Sequence, residues 1–229
     1  MRPNAFFPSL DIGTDPAKIR DWAQAAEDLG YAYIEVPDHV FGAKGRDGWI
    51  PLYNEKVPFH ETFVTLGFLA AVTKTIGLST GILIAPQRQT GVIAKQAAEV
   101  DLLSGGRLRL GIGVGWNPVE YEALGMEWKT RGARQAEQVE VLRRLWSNDL
   151  VTFEGRFHRL KDVSIVPMPN AASDPDLVWW FLGCRRHARS ATWRRLDANH
   201  GTGRASRAET SRVEGAAQVF RPRLGQVRD

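Results

Sequence analysis

The first two thirds of the chain alternate between strand-like and helix-like segments, and this succession constrains the fold more than any other feature. Apolar runs occupy residues 31–36, 76–86 and 108–114, after a shorter run at 5–9. Each run is followed by a segment whose apolar residues recur at helical spacing. Strands rich in Ile, Val and Leu that alternate with helices favour a parallel sheet covered by helices. Two architectures remain open, a (β/α)8 barrel and a doubly wound sheet.

Local signals predict where several elements begin and end. Asp15 and Pro16 open the first helix, and Gly30 closes it. The helix at 61–74 is apolar almost all round, which predicts packing on more than one side. Residues 151–160 alternate around Glu154 and Gly155, and this pattern predicts a β-hairpin.

The stretch LRLGIGVGWNPVEYEALG, residues 108–125, raises the question of dinucleotide binding. The phosphate-binding fingerprint needs a third glycine where Trp116 stands, so the fingerprint fails. The stretch instead predicts a strand followed by a helix, with Asn117 as N-cap and Glu120 placed to reach back to the cap N–H. Glycines within a strand indicate close approach of either a neighbouring strand or a ligand at the strand's carboxyl end. Both explanations remain open from this stretch alone.

The charge distribution predicts a boundary near residue 170. Residues 1–170 contain 19 basic and 20 acidic side chains, whereas residues 171–229 contain 11 basic and 6 acidic ones. All 11 basic residues of this second part are arginine, while the first part contains both lysine and arginine. We predict two regions, an α/β region at 1–170 and an atypical Arg-rich tail at 171–229. Nucleic-acid binding by the tail is a weak alternative, because its arginines are scattered and accompany no RNA- or DNA-binding motif.

Composition also bears on the cellular compartment. A single cysteine, Cys184, excludes a disulfide framework and fits a reducing compartment. We find no signal-peptide pattern at the first residues and no apolar run long enough to span a membrane. The sequence therefore predicts a cytoplasmic protein with no membrane partner, and it shows no pattern that predicts a metal site.

Four motifs together resemble the luciferase-like monooxygenase family, in particular its deazaflavin (F420)-dependent oxidoreductase branch. They are EVPDHV at 35–40, the block at 80–125 that begins TGILIAPQRQ, RGARQAEQVEVLRRLW at 131–146 and TFEGRFHRL at 152–160. The resemblance covers about residues 5–168. It implies a (β/α)8 TIM barrel that binds F420, or alternatively FMN, at the carboxyl ends of its strands. It also implies a small organic substrate, and we expect a homodimer.

The resemblance carries specific roles onto this chain. His39 matches a histidine near the cofactor ring and the substrate, which makes it the acid/base candidate, and Asp38 is the candidate to orient it. Simpler explanations are that His39 lies in a surface loop and that Asp38 caps the next segment. The predicted cofactor-binding residues match the ends of the third and fourth strands: Thr80, Gly81, Ile82, Gly113, Val114 and Gly115. The peptide bond between Gly81 and Ile82 matches a cis peptide that is common in relatives.

The chain departs from the family pattern in two places. Trp116 stands where some sugar-phosphate dehydrogenases of the family carry an acidic residue. After residue 170, neither the Gly-Gly-Ser-Ser that follows the fifth strand of relatives nor their later Asp-Gly-Trp is present. Codons exist for 179–183 and 193–199 that read Gly-Gly-Ser-Ser and Gly-Asp-Gly-Trp-Met-Pro after a one-base shift. We therefore predict that residues from about 170 are out of frame and that the barrel is incomplete, which the DNA sequence of the gene will test.

Two functional hypotheses follow. In the first, the protein is an oxidoreductase that transfers hydride with F420, or a flavin-dependent monooxygenase, acting on a small organic substrate. In the second, it is an inactive, truncated or frameshifted family member that binds no cofactor. The missing fifth-strand signature favours the second hypothesis.

Overall fold

The computed structural model describes residues 2–46, 48–170 and 178–180, the last three by their backbone. The helices are α1 (Pro16–Asp28), α2 (Thr62–Val72), α3 (Thr90–Ser104), α4 (Pro118–Ala123) and α5 (Arg131–Ser147). The strands are β1 (Ala5–Phe6), β2 (Tyr33–Val36), β3 (Gly77–Thr80), β4 (Leu83–Ile84), β5 (Leu108–Gly113), β6 (Val151–Glu154), β7 (Arg159–Val163) and β8 (Val178–Trp180). A short 3-10 helix, Ala85–Gln87, follows β4.

The main sheet is parallel, and its strand order follows the chain. Strand β1 pairs with β2, β2 with β3, and β3 with β5, always in parallel. Strand β4 continues β3 and pairs with the second half of β5, while β8 pairs with the other edge of β5. A helix lies in sequence between successive neighbours, as in a (β/α)8 barrel, whereas a doubly wound sheet reverses its strand order. The structure therefore resolves the two predicted architectures in favour of the barrel type.

The predicted tail falls almost entirely outside the described residues. Only the backbone of β8, which pairs with Leu110, Gly111 and Ile112, lies within 171–229. Cys184 and the two stretches with alternative codon readings lie outside the described residues. The boundary near residue 170, the frameshift and the incomplete barrel stay predictions.

The hydrophobic core lies between the sheet and its helices. Alternate side chains of the strands, such as Ile34, Leu78 and Leu110, are fully buried against α1, α2 and α3. The prediction that α2 packs on more than one side agrees with the structure, because the helix contacts α1, α3 and the sheet. Its Phe63 and Leu66 are buried, but the side chain of Val64 is 71% exposed and that of Phe68 is 37% exposed. One side of α2, which carries Val64 and Phe68, is therefore exposed within the described residues.

Predicted element boundaries agree closely with the structure. Asp15 caps α1 by accepting the N–H of Ala17, and Gly30 follows the helix with a φ of +76°. The predicted hairpin forms from β6 and β7, which pair in antiparallel fashion on either side of Gly155. These boundaries depend on neighbouring residues, so the local sequence sufficed to predict them.

Two partly buried polar connections hold the loops at the amino ends of β3 and β5. The carboxylate of Glu27 accepts the N–H groups of Lys74, Thr75 and Ile76. The guanidinium of Arg107 donates to five acceptors: Ala70 O, Thr73 O, Thr73 Oγ1, Ile76 O and Ser104 O. Both groups satisfy backbone atoms that would otherwise lack partners where helices end and strands begin.

Because of Glu27, the free energy of unfolding depends on pH in the acid range. Partial burial raises the pKa of its carboxyl, but the N–H groups of Thr75, Ile76 and Lys74 lower that pKa to about 2 overall. The unfolded chain, with a glutamate pKa of about 4.3, binds a proton in a window where the folded chain does not. The Glu27 contribution is therefore complete above about pH 5 and is lost as the pH falls towards 2.

We expect Glu27→Gln to lower the free energy of unfolding at pH 7 by about 1–3 kcal/mol, because hydrogen bonds to an ionised acceptor are lost. Urea unfolding of both proteins at intervals between pH 7 and pH 2.5 measures this difference, which should shrink as the pH falls. Glu99→Gln, at an exposed position of α3, is the control and should change stability by less than about 0.5 kcal/mol. A difference that stays constant with pH would contradict the role of the Glu27 charge.

Candidate active site

Asp38 follows the carboxyl end of β2 and is buried, with 3% of its surface exposed. Its Oδ1 accepts the Thr62 hydroxyl at 2.9 Å and Nη2 of Arg88 at 2.6 Å. Its Oδ2 accepts the N–H of Ile84 at 2.8 Å. One carboxylate therefore ties together the end of β2, the first residue of α2, the end of β4 and the side chain of Arg88.

Arg88 completes this ion network. Its Nη1 also donates to Glu61 at 2.9 Å. Burial lowers the pKa of the Arg88 guanidinium, but the charges of Asp38 and Glu61 raise it overall. The network is fully paired, so Asp38 acts as a structural connection in this part of the molecule.

His39 is oriented by Glu120, which corrects the predicted role of Asp38. The Nδ1 of His39 lies 3.1 Å from Oε2 of Glu120, and the hydrogen-bond partners of Asp38 are the three residues above. The other Glu120 oxygen accepts the N–H groups of Val40 at 2.6 Å and Phe41 at 3.1 Å. The backbone after β2 turns so that consecutive residues point to different partners: Asp38 to β4 and α2, and His39 to α4.

The hydrogen bond between His39 and Glu120 determines which nitrogen of a neutral imidazole carries the proton. Burial raises the pKa of the Glu120 carboxyl, but its hydrogen bonds to His39, Phe41 and Val40 lower that pKa overall. An ionised carboxylate only accepts hydrogen bonds, so the proton of a neutral His39 lies on Nδ1. Nε2 is then a free base, and it has no hydrogen-bond partner among the residues that the structure describes.

The predicted role of Glu120 in capping its own helix was wrong. The predicted capping box needs its carboxylate to bond the N–H of Asn117. In the structure the Asn117 side chain satisfies the helix start alone, by accepting the N–H groups of Val119 and Glu120. The Glu120 carboxylate therefore reaches His39, which is 81 positions away in sequence. The position of Glu120 just after a strand end could have indicated a place in the site. The sequence did not show, however, that His39 is its partner.

The predicted cofactor-binding residues lie together at the carboxyl ends of β3, β4 and β5. The peptide bond between Gly81 and Ile82 is cis, as the resemblance implied. The Thr80 hydroxyl donates to the Gly111 carbonyl at 2.6 Å. Gly113 pairs with Ile84, and the adjacent Val114 is buried. Their predicted contact with a cofactor stays a prediction.

Close approach within the protein itself explains two of the glycines in the opening stretch. A Cβ on Gly111 would lie 2.4 Å from the Thr80 carbonyl oxygen. At Gly115 the φ is +66°, and a Cβ would lie 2.8 Å from a methyl carbon of Ile84. The close approach of neighbouring strands is therefore enough to explain why glycine stands at these two positions. Any side chain there would push β5 away from β3 and β4.

Four aromatic side chains, which we call the aromatic wall, surround His39: Trp49, Tyr53, Phe59 and Trp116. Three of them contact the imidazole directly, with ring centroids at 4.7 Å for Phe59, 5.5 Å for Trp116 and 5.8 Å for Tyr53. Trp49 stacks on Trp116 at 6.3 Å. Three of the four come from the long segment at 42–60, which the sequence marked as a loop without periodicity. That loop therefore packs over the carboxyl end of the sheet.

The described part of the chain contains neither a membrane-spanning helix nor a cluster of metal ligands. None of its helices is long and apolar enough to cross a bilayer. Its His, Cys, Asp and Glu side chains form no group of three or more that could hold a metal ion.

Comparison with known proteins identifies the family to which this site belongs. The family model for luciferase-like monooxygenases matches residues 2–224. The chain belongs to the luciferase-like monooxygenase family. An uncharacterized protein of Mycobacterium tuberculosis is 33% identical over 180 residues, which cover 75% of this chain and 62% of that protein.

Other relatives within the luciferase-like family have named activities. The F420-dependent glucose-6-phosphate dehydrogenase of Kineococcus radiotolerans is 33% identical over 158 residues, covering 67% of this chain and 44% of that enzyme. The crystal structure of a monooxygenase from Streptomyces bottropensis superposes with a TM-score of 0.65 at 25% identity, covering 80% of this chain and 53% of that one. The chain thus spans about half the length of these luciferase-like enzymes.

Proposed function

We propose that this protein is an oxidoreductase that transfers hydride between a small organic substrate and F420, with His39 as the acid/base group. The observation that carries the proposal is the His39–Glu120 pair, in which a buried carboxylate fixes one nitrogen of an imidazole and leaves the other without a partner. Pairs of this kind are typical of general acid–base sites. The name of the Kineococcus relative supports F420 as the cofactor.

The residues at the carboxyl ends of β4 and β5 fit a flavin-like ring. Gln87 is 4% exposed, and neither its amide nitrogen nor its amide oxygen has a partner among the described residues. Gln135, buried on the side of α5 where Gln138 bonds the 3-10 helix, has the same two unpartnered atoms. A buried primary amide needs both a donor and an acceptor opposite it. The pyrimidine edge shared by flavins and deazaflavins offers both.

The chain's own residues would divide the chemistry as follows. F420, when bound, supplies a two-electron hydride acceptor or donor. In the oxidation of an alcohol, His39 Nε2 takes the hydroxyl proton while the carbon gives up its hydride. Glu120 stabilises the resulting imidazolium through Nδ1, and the aromatic wall keeps water away from the transferred charge.

Flavin-dependent monooxygenation is the second candidate function. The similarity to the Streptomyces monooxygenase supports it, and the same histidine and glycine-rich strand ends would serve an FMN ring. The predicted cytoplasmic location, the homodimer and the lack of specific nucleic-acid binding remain predictions.

A fluorescence titration of the purified chain with F420, and separately with FMN, tests these proposals. We expect saturable binding of F420 that is at least tenfold tighter than that of FMN. Tighter binding of FMN would favour the monooxygenase. Binding of neither would overturn both candidates and support the hypothesis of an inactive family member.

We expect Gln87→Leu to weaken cofactor binding about tenfold, because a buried amide that bonds the cofactor is replaced by an apolar side chain. The same change should leave the free energy of unfolding of the cofactor-free protein equal or slightly higher, since two unsatisfied polar atoms are removed. Titration and urea unfolding of one preparation measure both effects. Gln24→Leu, at an exposed site of α1, is the control for binding. Unchanged cofactor affinity in Gln87→Leu would show that this amide has no part in the site.

A further inference from the structure

The aromatic wall keeps part of its surface open, unlike the aromatic residues of the core. Phe7 and Tyr121 are fully buried, whereas Trp49, Tyr53, Phe59 and Trp116 are all only half-buried. Single half-buried rings such as Trp22 and Trp128 are common, but four of them gathered around one imidazole form a contiguous apolar patch of the kind that ligands bind. Their position against the imidazole of His39 places this open surface at the proposed acid/base group.

The surroundings of His39 carry little charge that a ligand could meet. Its ionised neighbour, Glu120, is fully buried and already bonded to His39, Val40 and Phe41. The cations of the neighbouring loop are exposed, and Arg46 is paired with Glu122. The cation–π contacts found among the described residues all involve rings outside the wall. Arginine and lysine typically bind a phosphate group, but neither contacts a wall ring through its charge among the described residues. The N–H groups of Val119 and Glu120 at the start of α4, close to Trp116, are already bonded to Asn117.

We propose that the aromatic wall binds a neutral aromatic substrate, stacked on Trp116 within reach of His39. This inference rests on the proposed function, because it names the substrate class of the same site. Aromatic rings pair favourably at centroid separations of about 4.5–7 Å, and the wall residues already lie at such distances from one another. A sugar phosphate, the substrate in the name of the Kineococcus relative, lacks an aromatic ring and carries a charge that the wall does not match.

Trp116 determines this specificity more than the other members of the wall. Its ring contacts three of the surrounding rings, those of His39, Trp49 and Tyr53. Tyr53 also contacts three rings, so the place of Trp116 in the fold distinguishes it. It follows Gly115, whose positive φ turns the chain directly after β5. Trp116 therefore lies at the end of a sheet strand, whereas the other three wall residues belong to the long loop.

Isothermal titration calorimetry on the full chain tests the proposal with four probes: benzyl alcohol, its saturated counterpart cyclohexylmethanol, benzoate and glucose 6-phosphate. We expect benzyl alcohol to bind at least fivefold more tightly than cyclohexylmethanol and benzoate, with no measurable heat from glucose 6-phosphate. Trp116→Leu should weaken benzyl alcohol binding at least fivefold. Trp128→Leu is the matched control, because Trp128 is also half-buried but contacts Tyr121 and Arg131 instead of the wall.

The outcomes separate this inference from the proposed function. Tighter binding of glucose 6-phosphate or of cyclohexylmethanol overturns the aromatic substrate class, and an F420 titration of the same preparation shows whether the oxidoreductase proposal survives. Selective binding of benzyl alcohol without any binding of F420 or FMN supports the substrate class and overturns the oxidoreductase proposal. Equal loss of benzyl alcohol binding in Trp116→Leu and Trp128→Leu overturns the role of Trp116.

Discussion

The Asp38→Ala variant is expected to lose about 3–5 kcal/mol of its free energy of unfolding, the cost of removing one partner from a buried ion pair. The side chain of Arg88 is only 15% exposed and would keep its charge with Glu61 as its remaining partner. The N–H of Ile84 and the hydroxyl of Thr62 would also lose their acceptor. Urea unfolding at pH 7 measures the loss.

A surface aspartate provides the comparison for this prediction. Asp21 pairs with Arg20, but both side chains are about half exposed or more. Asp21→Ala should therefore change stability by less than about 1 kcal/mol. If Asp38→Ala is no more destabilising than Asp21→Ala, then water replaces the carboxylate and the connection described above contributes little to the fold.

The largest expected effect on activity comes from the His39–Glu120 pair. We expect His39→Phe to lower kcat by about 10²- to 10⁴-fold, the usual contribution of a positioned proton-transfer group. Glu120→Gln should lower kcat with little change in KM or in cofactor affinity, because Glu120 acts through His39. The amide NH2 of a glutamine would face the N–H groups of Val40, Phe41 or His39, which are donors themselves. Steady-state reduction of F420 by an alcohol measures both constants.

His60 provides the control histidine for these kinetics. It contacts the Gly13 carbonyl and meets the Phe7 ring edge-on, and among the described residues its ring has no aromatic contact with the wall. His60→Gln should keep kcat within about threefold of the unchanged protein. A His39→Phe variant with kcat in the same range would show that His39 carries no proton in the reaction, and a Glu120→Gln variant that raises KM alone would indicate a binding role.

Local sequence predicted the elements well because the residues that end a helix or turn a hairpin are themselves local. Asp15, Gly30 and Gly155 each mark a boundary that the structure confirms. The choice between a barrel and a doubly wound sheet required the order of strands in space, which periodicity does not contain. The cis peptide at Gly81 was predicted from the resemblance to a family and could not have been predicted from propensity.

The candidate site was predicted only in part, because its contacts join residues far apart in sequence. The dipeptide at 38–39 was recognised, but Asp38 reaches Arg88 across 50 positions and His39 reaches Glu120 across 81. One sequence gives no information on such pairings. Glu120 was assigned to a local cap since an acidic residue in a first helical turn usually has a local explanation. The long loop at 42–60 had no pattern at all, yet it supplies most of the aromatic wall.

The aromatic wall differs in its tolerance of substitution from the hydrogen-bonded charged residues that connect the strands and helices, which we call the framework. Within the described residues, no side-chain hydrogen bond ties the rings of Trp49, Tyr53, Phe59 or Trp116 to the core. The framework, in contrast, depends on multiply bonded charges such as Asp38 and Arg107. We therefore expect substitutions in the wall to cost less folding stability than substitutions of these charges. If the wall binds the substrate as proposed, selection could change specificity repeatedly while the same few paired charges preserve the scaffold.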